Sequence, residues 1–252
     1  VAIVGLGTGC DLTPQAAAAI GSASLLVGGT RQLALAEPHS PDAAQWDLTG
    51  RLKDIVPTVA GAVENGQTVA IVASGDPLFY GVGGYLFGKL ADAGIVPTIH
   101  PAPSAVAVAA ARLGWKWSDA AVHSCHGRPI GDVVGLLRRH GKLAIYTDAT
   151  NSPQAIGSVL HAAGIAEGTA HIAEALGTER ERLRSMPLAE LRTVDDADPL
   201  NVVLLETPKA RVATVPFEPD DSFEKKMPKK GLITKREIRV LSMAALAVGD
   251  GD

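Results

Sequence analysis

Residues 68–81 read Thr-Val-Ala-Ile-Val-Ala-Ser-Gly-Asp-Pro-Leu-Phe-Tyr-Gly. The first six are apolar or β-branched with no polar alternation, which predicts a strand covered on both faces by helices. The glycine-rich turn that follows lies where open α/β sheets gather ligands, at the carboxyl end of a strand. Working outward, residues 1–6 (VAIVGL), 24–27 (SLLV) and 96–100 (VPTIH) carry the same strand signature. Between them, Ile55, Val59 and Ala62 repeat at helical spacing and stop at Gly66, and Leu86, Leu90 and Ala93 stop at Gly94. A glycine after each run supplies the left-handed residue that closes a helix. The strand–helix order predicts an α/β protein with a mostly parallel sheet in its first lobe.

A break near residues 113–118 (LGWKWS) starts a second lobe. Its expected strands are residues 120–124 (AAVHS), 142–147 (KLAIYT), 170–174 (AHIAE) and 201–206 (NVVLLE). Two helices end at Gly141 and Gly164: Val133, Leu136, Leu137 and His140 precede the first, and Ile156, Val159, Leu160 and Ala163 the second. Residues 176–203 are short, charged segments that read as an antiparallel meander, making the second sheet mixed. The expected division is 1–113, 114–210, and a linker with the start of a partner domain over 211–252. Pro216, Pro219, Pro228 and the lysine pairs 225–226 and 229–230 mark the linker, and Thr234 is a candidate N-cap for a helix after it.

Composition narrows the function. The 252 residues are 46% hydrophobic, enough to bury a core. A formal net charge of -4 argues against nucleic acid as partner, since a phosphate binder needs a basic face. No apolar run reaches the roughly 18–20 residues of a membrane span. Two cysteines, Cys10 and Cys125, cannot build a disulfide framework, and 27 acidic residues argue against a transit peptide, so a cytoplasmic protein is expected. The start at Val1 instead of Met reads as a trimmed end.

Four strand ends carry candidate chemistry. Gly5-Leu6-Gly7-Thr8-Gly9-Cys10-Asp11 suggests a dinucleotide fingerprint, but Cys10 stands where its last glycine belongs. The turn after the next strand, Gly28-Gly29-Thr30-Arg31, offers no carboxylate for a ribose. A ligand-free βα turn remains open there, as does a nicotinamide site using Arg31. Asp76 is either a cap for a helix opened by Pro77 or a carboxylate for a ribose or an ammonium group. Ser104 in Pro101-Ala102-Pro103-Ser104-Ala105 is an N-cap at an anion-favouring helix start. In His123-Ser124-Cys125-His126-Gly127-Arg128, a metal site lacks further ligands, so none is expected; His126 and Arg128 suit an acidic substrate or a surface ion pair. With no activated nucleophile in view, a reaction between two bound small molecules is favoured.

Taken in series, GLGTG (5–9), SGDPLFYG (74–81), PAPSAV (101–106) and Tyr146-Thr147-Asp148 resemble the tetrapyrrole (corrin/porphyrin) methylase family. The resemblance implies a homodimer of two-lobed α/β chains with S-adenosyl-L-methionine (SAM) as cofactor in the cleft. Cofactor contacts carried over by motif position are Thr8, Ser74, Gly75, Asp76, Phe79, Ser104, Ala105, Thr147, Leu176 and Leu200. His126, Arg128 and Arg31 are then expected at the carboxylates of a corrinoid substrate. The element Ser124–Arg128 resembles the branch acting on precorrin-6Y or its cobalt counterpart, which implies C-methylation at C5, with C15 open, in cobalamin biosynthesis. Residues 231–239 (GLITKREIR) resemble the opening of a decarboxylating methylase domain, whose own fold would lie beyond Asp252. Another tetrapyrrole methylase, such as one acting on uroporphyrinogen, a methylase of a protein side chain like diphthine synthase, and a non-catalytic binding module stay open.

Overall fold

A computed structural model describes residues 1–9, 12–208 and 235–246. The first sheet is built from β1 (Ala2–Gly5), β2 (Leu25–Gly28), β3 (Ala44–Asp47), β4 (Val69–Ala73) and β5 (Thr98–His100). Its order is β3-β2-β4-β1-β5, and every pairing is parallel. Four helices cover it: α1 (Pro14–Gly21), α2 (Thr30–Ala36), α3 (Ile55–Glu64) and α4 (Gly83–Asp92). Period-two alternation sorts the strand residues between two cores. Ile3, Val27 and Ile71 face α3 and α4 through Ile55, Val59, Leu86 and Leu90, whereas Val4, Leu26 and Val72 face α1 and α2 through Ala16, Ile20 and Leu33.

The second sheet contains β6 (Ala121–Ser124), β7 (Lys142–Tyr146), β8 (Thr169–Glu174), β9 (Arg182–Pro187) and β10 (Asn201–Glu206), in the order β6-β7-β10-β8-β9. Only the β6–β7 pairing is parallel; β10 runs antiparallel to both β7 and β8. The mixed character expected of this half is therefore present. Helices α6 (Val133–His140) and α7 (Pro153–Ala162) cover one face through Val133, Leu137, Ile156 and Leu160. The opposite face is covered by α5 (Ala105–Leu113), whose Val106, Ala109 and Ala110 pack on Ala144, Ala173, Val202 and Leu204. The helix that follows the first sheet thus lies on the second and joins the two.

Local chemistry explains the boundaries. Thr13, Ser104 and Ser152 accept the N–H of the residue three positions on, at the starts of α1, α5 and α7. Gly66, Gly94, Gly141 and Gly164 all take positive φ after their helices. Two expectations need correcting. Pro77 does not open a helix: residues 76–82 form a turn and α4 starts at Gly83. The fourth strand expected in the first half is shorter, because Pro97 has no N–H to give a ladder and pairing begins at Thr98. The expected linker, with Pro216, Pro219, Pro228 and its lysines, and Thr234 lie outside the described residues, as do Cys10 and Asp11. A final helix, α8 (Arg236–Leu246), exposes Ile238 and Leu241. Among the described residues, no helix is long and apolar enough to cross a membrane.

Candidate active site

The carboxyl ends of β1 and β4 lie side by side, and the loops after them are cross-linked by backbone hydrogen bonds between Gly7 and Gly75. In the second sheet Ser124 pairs with Tyr146, Tyr146 with Val202, and Asn201 with Glu174, so the ends of β6, β7 and β8 and the start of β10 share one edge. These two edges face each other across a cleft of about 680 Å³, a size typical of small-molecule sites. Thr8, Ser74, Gly75, Asp76, Phe79, Ala105, Thr147, Leu176 and Leu200 all line it, with Arg31, His126 and Arg128. Ser104 stands apart: it is buried behind the wall, capping α5 through Ala107 N–H at 3.2 Å.

On the first wall, Arg31 donates to the Ser74 hydroxyl oxygen at 2.9 Å, and Gln32 donates to the same atom. Asp76 Oδ1 accepts the Leu78 N–H at 2.8 Å, an Asx turn that leaves the other oxygen available to the cleft. Phe79, Tyr80 and Tyr146 form an aromatic cluster with ring centroids 5.2 to 6.4 Å apart. Tyr80 holds a positive φ of 55° and donates its hydroxyl to the Val122 carbonyl at 2.8 Å, tying the first-sheet loop to the second sheet. Burial pushes the Tyr146 phenol above its ordinary pKa, so it stays neutral; a hydrogen bond with Ser104 opposes the shift.

On the second wall, the residues 126–128 loop is clamped from below. Asp148 accepts the Gly127 N–H at 2.8 Å through Oδ2 and the Thr150 and Asn151 N–H groups through Oδ1. Asn151 Nδ2 reaches Cys125 O at 2.7 Å and Arg128 O at 3.0 Å, bracketing His126. The Thr147 hydroxyl donates its one hydrogen to Asn201, whose backbone and side-chain oxygens lie 2.9 and 2.8 Å away. Cys125 is fully buried in the core, and burial pushes its thiol up to about 11. Among the described residues, no group of three or more His, Cys, Asp or Glu could hold a metal ion.

The Asp148 clamp carries a pH prediction. The Asn151 and Gly127 N–H groups hold its carboxyl down to about 2, from 3.8. A depressed carboxylate contributes stability above its unfolded pKa and loses it as pH falls through the folded one. The loop is therefore expected to stay ordered down to about pH 4 and to release toward pH 2, followed by the Gly127 amide shift. Release starting near pH 6 would contradict the clamp.

Gln32 and Asn201 also line the cleft, and Asn151 supports its wall from behind, although none of the three was expected there. All three act through hydrogen bonds to residues far away in the chain, which no local spacing announces. Asn151 had a faint signal: it follows Asp148 by three residues, as an Asx-turn partner does.

The model of the family described as Tetrapyrrole (Corrin/Porphyrin) Methylases matches residues 1–192. A Sinorhizobium protein named precorrin-6Y C(5,15)-methyltransferase [decarboxylating] is 33% identical over 256 residues, covering 99% of this chain and 60% of its own length. This chain therefore spans about three fifths of that relative. A Salmonella typhimurium protein named cobalt-precorrin-7 C(5)-methyltransferase is 32% identical over 207 residues, covering 81% of this chain and 98% of its own. The crystal structure of a precorrin-6Y methylase from Archaeoglobus fulgidus superposes with a TM-score of 0.60 at 25% identity, over 82% of this chain and 98% of that one.

Proposed function

The chain belongs to the tetrapyrrole (corrin/porphyrin) methylases, and from that premise we propose that it methylates the C5 meso carbon of a precorrin-6Y-type corrinoid, using SAM, in cobalamin biosynthesis. The observation that carries this reading is the convergence of both sheet edges on one cleft, with Asp76 at one wall and Arg128 at the other. C5 is favoured over C15 because the relative named for C5 alone is matched over 98% of its length, whereas two fifths of the relative named for both positions lies outside the match. Decarboxylation and C15 methylation belong, on this reading, to the partner domain that residues 211–252 lead into.

The cleft's residues fit the cofactor. Asp76 keeps one carboxylate oxygen for ribose hydroxyls or an ammonium group, while Phe79, Ala105, Leu176 and Val202 give an apolar wall for a flat base. When bound, SAM supplies an electrophilic methyl group on its sulfonium. Thr8 and Gly75 let backbone approach the ligand, and the Phe79, Tyr80 and Tyr146 rings exclude water from the reacting end. Arg31 and Arg128, on opposite walls, suit the peripheral carboxylates of a corrinoid. A homodimer in the cytoplasm completes the proposal; exposed Leu78, Tyr85 and Phe87 offer apolar surface for a second copy.

Asp76→Ala is expected to weaken SAM binding about tenfold or more, the size of a lost hydrogen bond to a charged group. Asp76→Asn should fall between, since its oxygen can still accept from Leu78 while the charge is gone. Calorimetry with S-adenosylhomocysteine reads both; unchanged affinity in the alanine variant removes Asp76 from the site. The reaction itself is tested by incubating the protein with SAM and precorrin-6Y or its cobalt form. Mass spectrometry should find one added methyl group, and its absence on these substrates alongside methylation of uroporphyrinogen would move the assignment to another tetrapyrrole.

A further inference from the structure

Methylating a ring carbon that bears hydrogen leaves a proton that a base must remove. We propose that His126 is the base, accepting that proton at Nε2; this assignment rests on the methyl-transfer reading above. His126 Nδ1 lies 3.3 Å from the backbone oxygen of Thr147. A carbonyl oxygen can only accept, so the shared hydrogen sits on Nδ1. A neutral ring then carries its lone pair on Nε2, on the far side from Thr147, and the residue is exposed and lines the cleft.

The cleft's other candidate bases are poorer ones, and the free oxygen of Asp76 is taken by the cofactor's ribose or ammonium group on the methyl-transfer reading. Asp148 spends both oxygens on backbone N–H groups and is held at about 2, too acidic for the task. Asp76 lies on the opposite wall and uses Oδ1 in its turn. Tyr146 is a neutral phenol, and the Ser74 oxygen already accepts from Arg31 and Gln32. Of the histidines, His126 alone lines the cleft, and an imidazole has the basicity a general base needs near neutral pH. Asn151 fixes the backbone on both sides of it, which holds the ring in place before substrate arrives.

The electrons balance. The ring carbon's π pair forms the new C–CH3 bond as the CH3–S bond breaks and leaves its pair on sulfur, giving a neutral thioether and a cationic macrocycle. The C–H bond at that carbon then breaks, its pair restores the conjugation, and the proton goes to Nε2. The imidazolium keeps its Nδ1–H on Thr147 O and passes the new proton to solvent at its exposed edge.

The first test needs no turnover. In cofactor-free protein labelled with 15N-histidine, His126 should show protonated Nδ1 and bare Nε2 near pH 8; the reverse tautomer overturns the proposal. The second uses His126→Gln, an exposed substitution whose thermal melt should match the parent. Its affinity for S-adenosylhomocysteine should be unchanged within about twofold, while kcat on the corrinoid falls about 100-fold, the usual share of general-base catalysis. The parent's kcat should rise with pH and the variant's should not, since the other ionisable groups facing His126 (Arg128 on its own loop, Tyr146 at the end of β7, Asp148 just past it, and Asp76, Tyr80 and Arg31 across the cleft) are unchanged in the variant. A raised KM with undiminished kcat would make His126 a carboxylate contact and overturn the assignment. If the parent chain itself fails to methylate the corrinoid, the methyl-transfer reading falls and takes His126 with it; methylation by parent and variant alike overturns His126 alone.

Discussion

Gly177→Ala should destabilise the protein by about 2–5 kcal/mol, the sum of a left-handed non-glycine residue and an overpacked contact. Gly177 follows β8 with a φ of 75°, and a Cβ there would sit 2.7 Å from Gly9 N and 2.7 Å from Thr8 C. Both neighbours are backbone, so no side chain can swing aside. The loop after β1 and the loop after β8 meet at this point, which makes it a seam between the sheets. Gly164→Ala is the control: its φ is 74°, but a Cβ meets nothing within 4 Å. It should cost only about 1–2 kcal/mol. Urea unfolding of the two variants decides the matter, and equal losses would mean that the seam can relax. The Gly177 variant should also bind S-adenosylhomocysteine more weakly, because Thr8 and Leu176 flank the contact and line the cleft.

Glu174→Ala should also be damaging, at about 2–4 kcal/mol, because two arginines and a backbone N–H lose their shared buried acceptor. Glu174 is fully buried. It accepts from Arg182 at 2.8 and 2.9 Å, from Arg184 at 3.0 and 3.1 Å, and from the Asp198 N–H at 2.9 Å. Asp196 bridges the same two arginines from outside. Such a cluster adds little net stability, since an apolar replacement of a whole buried set is often neutral or better. Replacing all three residues together (Glu174→Leu, Arg182→Met, Arg184→Leu) should therefore recover much of the loss in urea. The cleft should not recover with it. Asp198 holds Leu200 N–H at 2.9 Å and accepts from Asn201 Nδ2 at 2.7 Å, and Asn201 in turn holds Thr147. Cofactor affinity restored together with stability would show that Glu174 does nothing for the wall.

Where a pattern is local, the sequence was readable. The apolar run at residues 68–73 became β4, buried at every position of the strand, and glycine placed the helix ends after α3, α4, α6 and α7. The edge strand β3 escaped: it is four residues, AQWD, with its two ends of different polarity. β9 lies in the span expected as an antiparallel meander and does pair antiparallel with β8, but its bounds were not legible, since the arginines of RLRSMP look like solvated charge until the buried Glu174 beside them is known. The site divides the same way. Ser74, Asp76 and Phe79 sit in one continuous motif and reach the cleft together, as do His126 and Arg128. Ser104 was legible as a cap, and the fold gives its side chain to α5. Of the two readings open for Asp76, the helix cap fails, because Asp-Pro opens a tight turn as readily as a helix and only the six following residues decide between them. Asn151 and Asn201 belong to long-range hydrogen bonds, whose distances are set by β6 pairing parallel with β7 for the first and by β10 pairing antiparallel with β7 for the second.

Two bare backbones in contact at Gly9 and Gly177 have no rotamers to exchange, so the joint cannot be retuned by substitution. The walls on either side, where Leu176, Leu200 and Arg128 stand, carry side chains that a substitution can reshape. A lineage built on such a joint can alter what its cleft holds one wall residue at a time, while the gauge between its halves is inherited unchanged.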